Sequence, residues 1–267
     1  MVTSYIKLNS LQHTYMESHD VGFFLPGWMQ RNENVVLTSP HDDDVLFGCG
    51  LMLQILKEEG AEIYVAVMTN GDKGYCNEER LGKNNIVEAR KEATFRAYDE
   101  IGIDANHLIR FEYPDSELAF HIDWKLISRM IEFYRNVDAT RLFVPNENDF
   151  HIDHKVSFNP VGIYCGIQAS TSILPDLGEP CNIKTILRYP VWMDFAGSPS
   201  HIVTTDMEKQ KRKIQSIGCY RKVQPQMAET IREIEERGPK EYFQEYKIEM
   251  FSAREIDEMF EEKYHAE

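Results

Sequence analysis

Val35-Val36-Leu37-Thr38-Ser39-Pro40-His41-Asp42-Asp43-Asp44 is an apolar, β-branched run that ends in a histidine and three consecutive aspartates. A short apolar segment of this kind, stopped by Pro40, has the pattern of a core strand in a parallel sheet. Ligands in open α/β sheets bind at the carboxyl ends of the strands, and that is where the polar cluster falls. Three adjacent carboxylates repel one another and are costly to hold in a half-buried crevice without a positive partner. The stretch therefore asks for a cation, and a divalent metal ion is the simplest one.

A second cluster supplies what the first lacks. Leu142-Phe143-Val144-Pro145 is another apolar run, and it leads through Asn146-Glu147-Asn148-Asp149-Phe150 into His151-Ile152-Asp153-His154. His41, one aspartate and one histidine of this second group make two imidazoles and a carboxylate. Catalytic zinc uses such a set with a position left for water, and non-haem iron(II) uses it too, so ligand type leaves Zn2+, Fe2+ or another divalent metal open. One histidine at a strand end is commonly just a hydrogen-bonded core residue. Two histidine–aspartate clusters, each following a strand, point to a metal site.

These residues carry a resemblance. Ser39-Pro40-His41-Asp42-Asp43-Asp44, followed by Gly48-Cys49-Gly50, resembles the His-Pro-Asp-Asp-Glu motif of the PIG-L/LmbE-like zinc-dependent N-acetyl-sugar deacetylases. His151-Ile152-Asp153-His154 is similar to the family's His-Pro-Asp-His. Weaker echoes are Thr69-Asn70-Gly71-Asp72-Lys73-Gly74, the spacing from Arg90 to Gly102, and Tyr113-Pro114-Asp115. The resemblance spans about residues 35 to 245 and implies that His41, Asp44 and His154 bind zinc. It makes Asp43 the general base, His151 the group that stabilises the oxyanion, and Asp153 the carboxylate that tunes a neighbouring imidazole. Asp42 stands where the family usually has proline, and Val45 where it often has glutamate.

The chemistry fits those roles on its own terms. A bound divalent metal acidifies water and polarises an amide carbonyl. A carboxylate beside a ligand can take the proton and pass it to the leaving amine. A protonated His151, held cationic by Asp153, could donate to the developing oxyanion.

At 267 residues the chain can bury a substantial core without staples, and a formal charge of −15 disfavours nucleic acid and anionic membrane surfaces. The expected partner is a small amino-sugar-like substrate, and a homo-oligomer stays open. The five cysteines, Cys49, Cys76, Cys165, Cys181 and Cys219, are scattered, odd in number and lack Cys-x-x-Cys spacing, which speaks for free thiols. No secretory signal or membrane-length apolar run is visible, so the expected location is cytoplasmic.

Strand-like and helix-like patterns alternate from there. Residues 1–34 read as an irregular N-terminal extension that packs on the core through Phe23, Phe24 and Trp28. Strands are expected at Ile63–Thr69, His107–Phe111, Arg141–Val144, Ile183–Trp192 and Ile202–Thr205. Helices are expected at Leu46–Glu59, Asn85–Ile101, Ile122–Tyr134, Asp206–Tyr220, Met227–Arg237 and Ser252–Tyr264. Asp153–Ser172 reads as helix broken by Pro160. The expected fold is α/β: a Rossmann-like three-layer sandwich with a mostly parallel sheet and additional C-terminal strands and helices, in a single domain over 1–267.

Arg90 and Asp115 are candidate substrate-binding residues, although a helix arginine is ordinarily solvated. The Thr69–Gly74 loop lacks the phosphate-loop pattern and reads as an ordinary turn. Tyr189 and Trp192 suit either a sugar face or the core. Three other functions compete with deacetylation: hydration of a carbon–carbon double bond at the same metal, an all-helical His-Asp phosphohydrolase, and metal or sugar binding without catalysis.

Overall fold

The computed structural model describes residues 3–9, 12–74 and 83–247. Cys76 and the helix expected at Ser252–Tyr264 lie outside them. The chain opens with a hairpin, β1 (Ser4–Asn9) and β2 (Thr14–Ser18), and one helical turn, α1 (Val21–Phe24). An alternating run follows: β3 (Asn34–Ser39), α2 (Asp44–Glu58), β4 (Glu62–Thr69), α3 (Lys83–Glu100), β5 (Leu108–Tyr113), α4 (Trp124–Asn136) and β6 (Arg141–Pro145). Next come α5 (Ile152–Val156), a wide turn at Ser157–Gly162 that contains Pro160, and α6 (Ile163–Ala169). The rest is β7 (Thr185–Tyr189), β8 (His201–Thr204), α7 (Met207–Gly218), α8 (Met227–Arg237) and β9 (Lys240–Glu245).

All nine strands form one sheet in the order β2-β1-β8-β9-β7-β6-β3-β4-β5. Pairings β7–β6, β6–β3, β3–β4 and β4–β5 are parallel, whereas β2–β1, β1–β8, β8–β9 and β9–β7 are antiparallel. The sheet is thus mixed, which corrects the mostly parallel expectation. The difference arises from strands with no apolar run. β2 is the exposed edge, β1 is largely half-buried, and β9 (Lys240-Glu241-Tyr242-Phe243-Gln244-Glu245) carries three charges. β9 is nonetheless interior, because buried Glu241 meets Lys213 Nζ at 2.7 Å.

Helices cover both faces. Val35 and Leu37 of β3 point into the cluster formed with α2, α3, α7 and α8, while Val36 points into the cluster formed with α4 and α6. Successive strand residues alternate between faces, so the continuous apolar run of β3 reports two buried faces. Trp192, expected inside a strand, lies beyond the end of β7, which stops before Pro190. A nine-stranded sheet also rules out the all-helical alternative.

Candidate metal centre and substrate cavity

The chain leaves β3 towards β4 and β5, then returns to pair β6 with the other side of β3. That reversal is a topological switch point, where the loops after two adjacent parallel strands diverge and open a crevice. Both polar clusters follow those two strands. His41 Nδ1 lies 3.0 Å from Asp44 Oδ2, His154 Nε2 lies 3.2 Å from the same oxygen, and the two nitrogens are 3.3 Å apart. Tetrahedral donors about 2.0–2.1 Å from a zinc-sized ion are roughly 3.3 Å from one another, so this donor set fits such an ion. On the other edge of the ring, His41 Nε2 contacts Asp115 Oδ1 at 3.2 Å and Asp153 Oδ2 at 3.5 Å. Ligand-type atoms of His41, Asp115, His151 and Asp153 also lie within 4.8 Å of one another.

Burial works against charge at His41, Asp43, Asp44 and His154, and the partners decide the outcome. For His41 and His154, the aspartates outweigh burial and hold both imidazoles up, His154 to about 9. Burial opposes ionisation of Asp44, yet His154 and His41 hold its carboxyl well below the usual range. Asp43 differs. Burial, reinforced by Asp42 and Asp44 against the pull of Arg90, raises its pKa to about 7. Asp43 occupies the N-cap position of α2 but makes no side-chain capping bond, so its carboxylate is not spent on the helix.

Asp42, the departure from the family pattern, is neutralised locally. Arg90 on α3 grips it through Nη2 to Oδ1 and through Nε to Oδ2 at 3.1 Å, and Thr94 Oγ1 donates to Oδ2 at 3.0 Å. The same guanidinium reaches Asp43 Oδ1 at 3.5 Å. Arg90 is only 2% exposed. The Thr69–Gly74 loop explains how an arginine can be buried there. A Cβ on Gly71 or Gly74 would collide with the guanidinium, so both glycines let the backbone close over it. Asp72 Oδ1 then accepts from Asp115 N at 3.0 Å. The weak echoes thus form one unit: the loop wraps the arginine, the arginine neutralises Asp42, and Asp72 ties the loop to Asp115.

The second cluster departs from expectation in its pairing. Asp153 does not grip His151. Its oxygens accept from Ser116 N at 2.6 Å and Leu118 N at 3.1 Å, and the imidazole beside it is His41. His151 caps α5, its Nδ1 accepting from Asp153 N at 3.2 Å. Burial, helped by His41 and His154, lowers its pKa, which favours the neutral imidazole over the imidazolium expected from the sequence, and the bond accepted at Nδ1 leaves the ring proton for Nε2. Asp149, not singled out from the sequence, also supports the second cluster. It accepts from His151 N at 3.0 Å and Trp192 N at 3.2 Å, and stands 3.0 Å from His154 Nδ1. The signal was a carboxylate two residues before a histidine in a loop, which sequence spacing alone does not single out.

A cavity of about 540 Å³ opens over these groups, lined by His41, Asp43, Asp44, Asp115, His151 and Arg90 among others. Its outer wall includes Trp192 and Phe150, both exposed. Tyr189 is core: fully buried, it donates to Thr38 O at 2.6 Å. Tyr220 likewise donates to Asp42 O at 2.9 Å. Cys49 is buried, with its thiol pKa pushed well up by burial and then by Glu241, so it is an inert packing residue. Among the described residues no helix is long and apolar enough to cross a membrane.

Comparison with known proteins agrees with this arrangement. Residues 36–161 match the family model described as PIG-L, GlcNAc-PI de-N-acetylase. A protein of Escherichia coli K12 described as the uncharacterized deacetylase YaiS is 23% identical over 140 residues, covering 51% of this chain and 69% of that protein. Among solved structures, the N,N'-diacetylchitobiose deacetylase of Pyrococcus horikoshii shares the fold with a TM-score of 0.67 at 20% identity, over 80% of this chain and 84% of its own. The 4-carboxy-2-hydroxymuconate hydratase GalB of Pseudomonas putida KT2440 does so with a TM-score of 0.69 at 14% identity, over 82% and 98%. The matched segment contains both polar clusters and the loop that wraps Arg90, and over that segment the chain is similar to the PIG-L/LmbE-like deacetylases.

Proposed function

We propose that this protein is a zinc-dependent amide hydrolase that removes the acetyl group from an N-acetylated sugar or related small polar molecule. The observation that carries the reading is the triangle of His41 Nδ1, Asp44 Oδ2 and His154 Nε2, 3.0–3.3 Å on a side, beside an Asp43 carboxylate that faces the same cavity. A divalent ion held by those three atoms would supply Lewis acidity and bring the pKa of a water towards about 7.

The remaining steps belong to the chain. Asp43 accepts a proton at its carboxylate as water attacks the acetyl carbonyl, then delivers it to the amine nitrogen as the C–N bond breaks. A pKa raised to about 7 suits a group that must do both near neutrality. His151 offers Nε2–H to the carbonyl oxygen as that oxygen becomes negative. Because its Nδ1 is occupied by Asp153 N–H, the donor stays on the cavity side in one tautomer. Asp153 and Asp115 hold the His41 ring from its Nε2 edge, which keeps Nδ1 turned towards Asp44. Asp115 also lines the cavity and can accept a substrate hydroxyl. Arg90 acts through Asp42 and Asp43, since its guanidinium is already committed to them.

The test is acetate release from a panel of N-acetylated amino sugars, using protein of known metal content and a chelated control. Release that stops on chelation supports the reading. Zinc-loaded protein that releases no acetate but hydrates an unsaturated acid would replace it with the hydratase, because the fold alone does not separate the two chemistries.

A further inference from the structure

We infer that Gln224 is a specificity-determining residue, whose carboxamide hydrogen-bonds a hydroxyl group of the substrate beyond the acetamide; the inference rests on the amino-sugar reading above. Gln224 lines the cavity and is 5% exposed. Its Oε1 is buried and has no hydrogen-bond partner among the described residues. A buried amide oxygen left unpaired is costly, and one on a cavity residue can be satisfied by a group that enters the cavity.

The backbone around it has no such deficit. Gln224 N donates to Tyr220 O at 2.7 Å, and Met227 N donates to Gln224 O at 3.1 Å. The turn is also pinned to the catalytic loop, because Tyr220 Oη donates to Asp42 O, one residue from Asp43. Only the side-chain amide is therefore spare, and its position is fixed relative to the proposed base.

A carboxamide offers one acceptor and two donors, which complements a hydroxyl that both gives and takes a hydrogen bond. A simple acetamide, once its carbonyl and N–H are engaged at the metal end, has nothing left for it. The cavity of about 540 Å³ leaves room for such a polyhydroxylated group, with Trp192 and Phe150 beside it to cover an apolar ring face. Gln224 lies outside the segment that matches the family model.

The experiment compares the wild type with Gln224→Met, a near-isosteric change, in the zinc-loaded full-length protein. Acetate release is measured from N-acetylglucosamine and from N-acetylethanolamine, and N-acetylglucosamine binding is followed by calorimetry on the Asp43→Asn background. Gln224→Met should lower kcat/KM for the sugar, mainly through KM, and weaken its binding, each by about ten- to hundredfold. The truncated amide should be unaffected. Equal loss on both amides would assign Gln224 a structural role and overturn the inference, as would sugar binding that is absent or indifferent to the substitution. Failure of the deacetylase reading looks different: no acetate from either amide in the wild type, while sugar binding still depends on Gln224.

Discussion

Replacing Arg90 with methionine tests the electrostatic design of the site directly. Arg90 and Asp42 are 2% and 1% exposed and joined by a two-pronged contact. Methionine keeps most of the volume but strands Asp42 among buried groups, with Thr94 Oγ1 as its remaining side-chain donor. Breaking one side of a buried pair costs about 3–5 kcal/mol, because the other charge is left uncompensated. Asp42→Asn on the Arg90→Met background removes that stranded charge and should recover about 2–3 kcal/mol of the loss. The assay is urea unfolding at pH 7 of the four proteins in this cycle. A second readout is chemical. Arg90 pulls the Asp43 pKa down against burial, so its removal raises that pKa. The acid limb of the kcat/KM profile should then move to higher pH. An Arg90→Met protein within about 1 kcal/mol of wild type, or a double variant no better than the sum of the single changes, would refute the proposed role of the buried pair.

His154→Ala should abolish stoichiometric metal binding, read as metal per chain after dialysis; unchanged content would remove His154 from the ligand set. Asp43→Asn should keep its metal and lose about a hundredfold or more in turnover, and retained turnover would transfer the base role to a neighbouring aspartate. Lys213→Met should destabilise the fold by about 3–5 kcal/mol in denaturant melts, since Glu241 is buried and relies on that ammonium. His201 is buried edge-on against Phe24 with Nε2 unpartnered among the described residues, and burial, followed by Lys7, lowers its pKa to about 3. Below an unfolded value of about 6.5 the unfolded chain binds the extra proton. Stability from this group is therefore complete above that pH and falls by about 2 kcal/mol from pH 7 to pH 5. His201→Leu should flatten that part of the profile, and an unchanged slope would contradict it.

What could be read from the sequence was local. Asn34–Ser39 and Asp44–Glu58 follow from an apolar run, a proline and a helical pattern, and the structure has both elements within two residues of expectation. The two polar clusters meet because β3 and β6 are neighbours, which the alternating pattern makes natural. What could not be read depends on distant partners. Asp153 was assigned to His151 because they are close in the chain, yet its hydrogen bonds go to Ser116 and Leu118. Arg90 looked like a solvated helix residue because the loop that buries it lies some twenty positions earlier. The clue was present: an extra aspartate in the metal loop needs a cation, and two glycines three residues apart leave room for one. β9 was invisible because the charge that disguises it, Glu241, is cancelled by a lysine on α7.

The residues proposed to do the chemistry all fall within 36–161, but the supports beneath them do not. Tyr189 and Tyr220 donate to Thr38 O and Asp42 O, at either end of the turn that presents His41. Deeper down, Lys213 Nζ donates to Phe47 O at 2.7 Å, and Glu241 accepts from Leu51 N at 2.7 Å and Met52 N at 2.9 Å. One buried ion pair thus grips the backbone of α2 in the first two turns after Asp44. Gly50 follows from this contact, since a Cβ there would stand 2.9 Å from Lys213 Cγ, whereas Gly48 makes room for Tyr189, whose Cδ2 would lie 2.4 Å from a Cβ. Asp44 must hold its oxygen about 3 Å from two imidazole nitrogens for the metal geometry to exist. The His41 N–H, which donates to Asp44 Oδ2 at 2.7 Å, holds it there, on a helix anchored from β9 and α7. The antiparallel half of the sheet, through β9, is therefore part of the framework that positions the proposed metal ligands.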